Sequence, residues 1–242
     1  NSYRMILEIC ANSFESAMAA QKAGAHRIEL CTELSVGGVT PSFGLIEKVL
    51  SELTIPVYVL IRPRSGNFTY TESEIDVMLK DIQQCKKMGV AGIVTGALFL
   101  ENEVDVETTQ QLLLASEGLD FTFHRAFDWC HNPKKSLKEL EQLGVKRILT
   151  SGQQPTAFEG LPLLKELKAL SESIEIMPGG GIHSENVGAF KKAGFTSVHC
   201  SASEKIQTLK HLPKVAMQSA LDEGIITYSS EEKIREILKK LA

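Results

Sequence analysis

Glu8, Glu29, Arg62, His124 and His199 each stand at or near the end of a short apolar stretch of this chain, in RMILEIC, HRIELC, VYVLIR, FTFHR and SVHC. A carboxylate can accept a proton, an imidazole can act as acid or base near neutral pH, and a guanidinium can hold an anion. The densest polar motif is His124-Arg125-Ala126-Phe127-Asp128. There Arg125 can bind an anion and Asp128 can orient either neighbour, or Arg125 pairs with Asp128 and His124 bonds within its own loop. A glycine triplet, Gly179-Gly180-Gly181, follows IEIMP. Three glycines let the backbone approach a ligand, and a helix starting at Ser184 would add its dipole; a sharp turn that only needs glycine is the alternative. Ser151-Gly152 offers further donors, and so does Ser201-Ala202-Ser203, which reads as leading into a turn of helix. Cys10 and Cys31 occupy matched positions on two neighbouring stretches. Two close thiolates suit Cu(I), whereas buried thiols also serve as ordinary core residues. No CxxC or HxxxH spacing accompanies them.

These residues need elements to bring them together. Eight apolar stretches, near residues 4–10, 26–31, 56–62, 91–95, 120–124, 146–151, 174–178 and 196–200, alternate with segments of helical character. Eight strand–helix units imply the α/β class and a single-domain TIM (β/α)8 barrel over residues 1–242, whose site lies at the carboxyl ends of the strands. Asn12 or Ser13 can cap the first helix, Pro41 suits a helix start, and Thr71 with Glu74 has capping-box spacing. A last helix over about 230–241 closes the barrel floor or packs outside it.

Strand side chains alternate between faces. With the apolar set turned toward the helices, Glu8 and Cys10, Arg27, Glu29 and Cys31, Tyr58, Leu60 and Arg62, Thr122 and His124, Glu175 and Met177, and Ser197, His199 and Ser201 point inward. Cys200 points outward, and the fourth and sixth strands are ambiguous. Arg27 and Glu175, nearer the strand starts, read as a structural interior pair. The others converge at the upper end, either as a satisfied network or as a working site.

The chain has 242 residues, a net charge of −4 and interspersed charges. No basic stripe offers a footprint for nucleic acid, and no apolar run approaches the roughly 18 residues that span a membrane. The N-terminus lacks the pattern of a secretory signal. Five cysteines without framework spacing point to reduced thiols and a cytoplasmic location.

The segments LEICANSFESAMAAQKAGAHRIELC, GGVTPSFG, VLIRPRSGNF, FHRAFD, RILTSGQ, IMPGGGI and VHCSAS together resemble the CutC family over roughly residues 4–205. The resemblance implies a TIM barrel, a cytoplasmic homo-oligomer (dimer or tetramer) and a role in copper homeostasis. It also implies Cys10 and Cys31 as Cu(I) ligands, and Glu8, Arg27, Glu29, Arg62, Arg64, His124, Arg125 and Asp128 as barrel-mouth residues. The segment from about Ile206 matches no family motif.

Three functions follow. One is copper binding through Cys10 and Cys31. Another is an enzyme acting on a small phosphorylated or carboxylated metabolite by acid/base chemistry. Its catalytic set would be Glu8, Glu29, His124, Asp128 and His199. Its substrate would be held by Arg62, Arg64, Arg125, Ser151, Gly179, Gly180, Gly181 and Ser201. No lysine ends any of the eight stretches, which weighs against a Schiff-base aldolase. The third is a barrel kept as a binding or regulatory module.

Overall fold

A computed structural model describes residues 5–215, 217 and 223–242. Residue 4, where the first strand is expected to begin, lies outside them. Eight parallel strands, β1 (Ile6–Ala11), β2 (Arg27–Leu30), β3 (Val57–Leu60), β4 (Gly92–Thr95), β5 (Asp120–Phe123), β6 (Arg147–Thr150), β7 (Glu175–Pro178) and β8 (Ser197–Cys200), run in the order β7-β6-β5-β4-β3-β2-β1-β8. A parallel bridge between Gly179 and His199 joins the two ends of this sheet. The strand that follows each helix pairs with the one before it, so the chain forms a (β/α)8 barrel.

The outer ring consists of α1 (Phe14–Ala23), α2 (Phe43–Glu52), α3 (Glu72–Met88), α4 (Val106–Ala115), α5 (Pro133–Leu143), α6 (Leu161–Leu170), α7 (Val187–Lys192) and α8 (Glu231–Leu241). Local chemistry starts and stops them. Ser13 accepts from the Ser16 amide at the start of α1, and Gly24, with φ 97, ends it in the left-handed region. Thr71 and Glu74 form the expected capping box of α3.

Three local expectations are corrected. Pro41 does not open α2; it precedes the cap, Ser42. Ser184 does not start α7, which begins at Val187 and has only six residues. Ser201-Ala202-Ser203 leads into a strand rather than a helical turn. An antiparallel hairpin, β9 (Ser203–Gln207) with β10 (Ile225–Ser229), stands between β8 and α8. It is tied to α1, since Asn12 Nδ2 donates to Thr227 O at 2.8 Å and the Ser229 amide donates to Ser16 Oγ at 3.0 Å. Helix α8 packs between α1 and α7, outside the barrel rather than under its floor.

The inner face alternates as its pattern requires. Cys10, Cys31, Tyr58, Leu60 and Val94 form an interior cluster separate from the large core between sheet and helices. Gly92 has no side chain because Tyr58 fills its place: a Cβ there would lie 2.5 Å from the Tyr58 ring. Below the cluster lies a charged layer. Arg27 Nε donates to Glu8 Oε2 at 2.5 Å and Arg147 Nε donates to Glu175 Oε2 at 2.7 Å. Both guanidiniums lie over the Tyr58 ring, at 5.2 and 5.7 Å. Arg27 and Glu175 are thus both structural, but each takes a different partner from the one expected.

Candidate functional site

The carboxyl ends of the strands surround a cavity of about 480 Å³, within the size range of small-molecule sites. Glu29 enters from the β2 end and Arg62 from just beyond β3. His124, Arg125, Asp128 and Trp129 come from the turn after β5, Gly180 and Gly181 from the loop after β7, and His199 and Ser201 from the end of β8. Cys10 reaches it from β1. Residues separated by nearly two hundred positions therefore share one wall-to-wall space, because strand alternation and barrel closure bring them there.

Glu8 lies beneath, 1% exposed and fully engaged: Arg27 on one oxygen and His199 Nδ1 on the other at 2.8 Å. Burial works to raise its pKa, but the charge of Arg27 and the bond and charge of His199 outweigh it and bring it to about 2. Glu29 is different. Its Oε2 has no hydrogen-bond partner among the described residues, and His199 Nδ1 stands 3.8 Å away. Burial, with Glu8 adding to it against the opposing pull of His199, raises Glu29 to about 7. His199 is desolvated too, yet bonds to Cys10 and Glu8 and the field of Glu29 carry it well above its ordinary value. The two acids therefore hold different protonation states around neutral pH.

His124 caps the turn after β5: its Nδ1 accepts from the Ala126 amide at 3.1 Å. Phe68 packs against its ring at a centroid distance of 4.9 Å, and Gly96 leaves room beneath it, since a Cβ there would lie 2.8 Å from Nδ1. Burial first, and the Arg62 charge second, push its pKa down to about 3. Arg62 donates to the carbonyls of Val36 and Gly38 at 2.7 and 2.8 Å and to that of Gly66 at 2.9 Å. It lies over Phe68 at 5.1 Å and forms no ion pair among the described residues. Tyr70 is near enough to feel its charge without meeting it in hydrogen-bond geometry.

Asp128 is a hub. It accepts from Arg125 Nε at 2.8 Å, Thr150 Oγ1 at 2.5 Å, the Ser151 amide at 3.0 Å and the Gln153 amide at 3.2 Å. Arg125 also donates to Ser151 Oγ at 3.0 Å through Nη2, which leaves its Nη1 beside Gly180. The glycines have distinct reasons. A Cβ on Gly179 would lie 2.4 Å from Leu149, and Gly180 and Gly181 adopt φ 112 and 67. The amides of Gly180 and Gly181 donate to no backbone acceptor among the described residues.

Not every sequence candidate reaches the cavity. Arg64 turns away to pair with Glu74 and to bond the Thr69 carbonyl at 2.8 Å. Gly179 and Ser151 stand behind the wall, supporting it. Cys31 is fully buried, with its Sγ 3.7 Å from that of Cys10. The bond to Cys31, then burial, raise the Cys10 thiol well above its usual range. Phe68, Thr150 and Gln153 escaped the sequence reading. Phe68 lies within the segment VLIRPRSGNF, but an aromatic residue in a polar loop carries no signal of what it will stack on. Glu8, Glu29 and His199 place three ligand-type atoms within 4.8 Å of one another. This is a hard set poorly matched to Cu(I), and the Arg27 ion pair already occupies Glu8.

Residues 5–204 match the family model described as the CutC family. A family protein named CutC from Photorhabdus laumondii is 46% identical over 223 residues, 92% of this chain and 90% of that protein. Another from Pasteurella multocida is 48% identical over 199 residues, covering 81% of this chain and 82% of that protein. A solved structure of a proposed copper homeostasis protein CutC from Streptococcus agalactiae is 37% identical, with TM-score 0.77 over 81% of this chain and 98% of that one.

Proposed function

The chain belongs to the CutC family, and from that premise and the cavity's chemistry we propose that it binds a small phosphorylated or carboxylated metabolite at the barrel mouth and acts on it by acid/base chemistry. One observation carries this reading. Arg62, 5% exposed, faces the cavity with only carbonyls for partners. A buried cation without a counter-charge is costly, and an anionic ligand offsets that cost. Arg125 Nη1, the free amides of Gly180 and Gly181, and cationic His199 add donors around the same space. Glu29, near its midpoint at neutral pH, supplies a group able to take and return a proton.

Thermal-shift screening of phosphorylated and carboxylated metabolites tests the reading. A ligand at a hundred times its Kd adds about 2.7 kcal/mol to stability. At about 2–4 °C per kcal/mol for a chain of this size, the melting temperature rises by roughly 5–10 °C. Arg125→Ala is expected to abolish most of the shift while leaving the ligand-free melting temperature within a few degrees. A library without any stabilising anion, or a shift untouched by both Arg125→Ala and Arg62→Met, would remove the proposal.

A second reading, Cu(I) held between Cys10 and Cys31, is favoured by the 3.7 Å separation of their sulfurs and by the name of the S. agalactiae relative. The donor type fits a soft ion. The raised Cys10 pKa opposes it, because the metal must displace thiol protons. Competition against a strong Cu(I) chelator decides: the double variant Cys10→Ala, Cys31→Ala is expected to lose any tight site, and identical competition by wild type and variant excludes this pair. A cytoplasmic location and a homo-oligomeric state belong to the same proposal. The five free cysteines support the location, and family membership alone supports the oligomeric state; no helix among the described residues is long and apolar enough to cross a membrane.

A further inference from the structure

Two buried groups on opposite walls of the cavity lack hydrogen-bond partners among the described residues, and their chemistry is complementary. The Ala126 amide donates to His124 Nδ1, so that nitrogen carries the lone pair and the neutral ring holds its proton on Nε2. This Nε2–H meets no acceptor among the described residues. Ring motion is restricted by Phe68 on one face and by the close backbone of Gly96. An imidazole kept neutral by burial and by Arg62 is a donor that does not give its proton away readily. Across the cavity stands Glu29, whose carboxyl forms no hydrogen bond among the described residues and whose buried Oε2 has only the His199 ring at 3.8 Å beside it. Strands β3 and β4 separate β2 from β5, so the two groups face the cavity from different walls, with space for a small ligand between them. Arg62 leaves positive charge beside the imidazole.

We propose that the cavity takes a small phosphorylated or carboxylated aldehyde or ketone and moves a proton at the carbon next to the carbonyl, with Glu29 as the base and His124 Nε2–H as the donor to the carbonyl oxygen. This inference rests on the anion reading above and adds the reaction class. In the forward step the α C–H bond breaks and its proton passes to the Glu29 carboxylate. The electron pair forms a C=C bond and the carbonyl π pair moves to oxygen. The resulting enolate oxygen is held by His124 Nε2–H in the field of Arg62. Glu29 then returns that proton, or one exchanged with water, to the same carbon. The cycle needs no oxidant, reductant or further reactant. The Glu29 carboxyl lines the cavity with His199 Nδ1 3.8 Å from its Oε2, so the side chain that takes the proton stays at the wall that the ligand meets.

The full chain, incubated in D₂O with dihydroxyacetone phosphate, glyceraldehyde 3-phosphate, pyruvate and 2-oxoglutarate, is followed by proton NMR, and the same probes are tested by thermal shift. Loss of an α-proton signal is expected for at least one stabilising probe. The rate should fall by roughly 100-fold or more in Glu29→Gln, with stabilisation retained. His124→Gln, which keeps an N–H donor, should hold more activity than His124→Leu. A probe that stabilises the protein without α-proton exchange overturns the reaction class and leaves the anion reading standing. Failure of every probe to stabilise the protein overturns both. Long-range ¹H–¹⁵N NMR of His124 supplies a readout without any probe: the Nε2–H tautomer, neutral from pH 8 to 5, is expected. An Nδ1–H tautomer, or protonation near pH 6, overturns the proposal whatever the probes do.

Discussion

Arg27→Met is expected to lower the free energy of unfolding by about 3–5 kcal/mol, because it leaves the Glu8 charge buried without its main counter-charge. Glu8 is 1% exposed, and its other partner, His199, is itself desolvated. The double variant Glu8→Gln, Arg27→Met removes both charges and should recover much of the loss, since a buried pair adds little over an apolar filling of the same volume. Urea denaturation of the wild type, both single variants and the double variant closes the cycle. A single-variant cost below about 1 kcal/mol, the range of exposed pairs, would mean that water reaches this layer. The pH dependence has a defined sign. Glu8 titrates at about 2 in the folded chain against an ordinary 4.5. Its contribution is therefore present above pH 4.5 and lost as pH falls from there toward 2.

Glu29→Gln is expected to stabilise the protein at pH 8 and to change little at pH 4. The raised pKa, about 7 against 4.5, means that the folded state holds the proton more tightly than the unfolded one. Stability therefore falls as pH rises from 4.5 to 7, by at most about 3 kcal/mol. Glutamine removes the titration and with it the penalty. His199 acts over a different range: its raised pKa gives stability that is present below 6.5 and lost as pH climbs through its folded value. Melting curves of wild type and Glu29→Gln at pH 4, 6 and 8 separate these contributions. An equal gain at pH 4 and pH 8, or a loss at pH 8, would show that Glu29 is stabilised as an anion by something other than the groups described. The same variant removes the proposed base, so enhanced stability at pH 8 together with lost proton exchange would mark a group retained at a stability cost for its chemistry.

Much of the architecture was legible because it is written locally. Strand ends fall within a residue or two of their expected places, since each apolar stretch stops at a polar loop and each preceding helix is punctuated by a turn residue such as Gly24 or Gly89. The inward set from Glu8 to His199 was legible because side-chain alternation has a period of two whatever the tertiary context. Pro41 and Ser184 misled for a common reason. Proline and serine both tolerate the first turn, so composition marks the neighbourhood of a helix start but not which residue caps it. The hairpin after β8 was not legible, because two short strands with an exposed face carry little apolar alternation.

What the chain's order of residues determined by itself was, for six of the eight strands, the list of side chains that face the barrel interior and the end at which they collect; Val94 and Arg147, on the other two, were placed only by the structure. Which of them meet was decided only in three dimensions. Arg27 takes Glu8 instead of Glu175, Arg64 swings away to Glu74, and Asp128 gathers Arg125, Thr150 and Ser151 into one knot. The stagger between strands sets how far along its neighbour each inward residue lies, and the loop paths set which wall a long side chain can reach. Neither is encoded in the period of any single strand. The Glu29 carboxyl and His124 Nε2–H, each without a hydrogen-bond partner among the described residues, are likewise properties of the closed barrel, because a missing bond becomes visible only when every neighbour is in place.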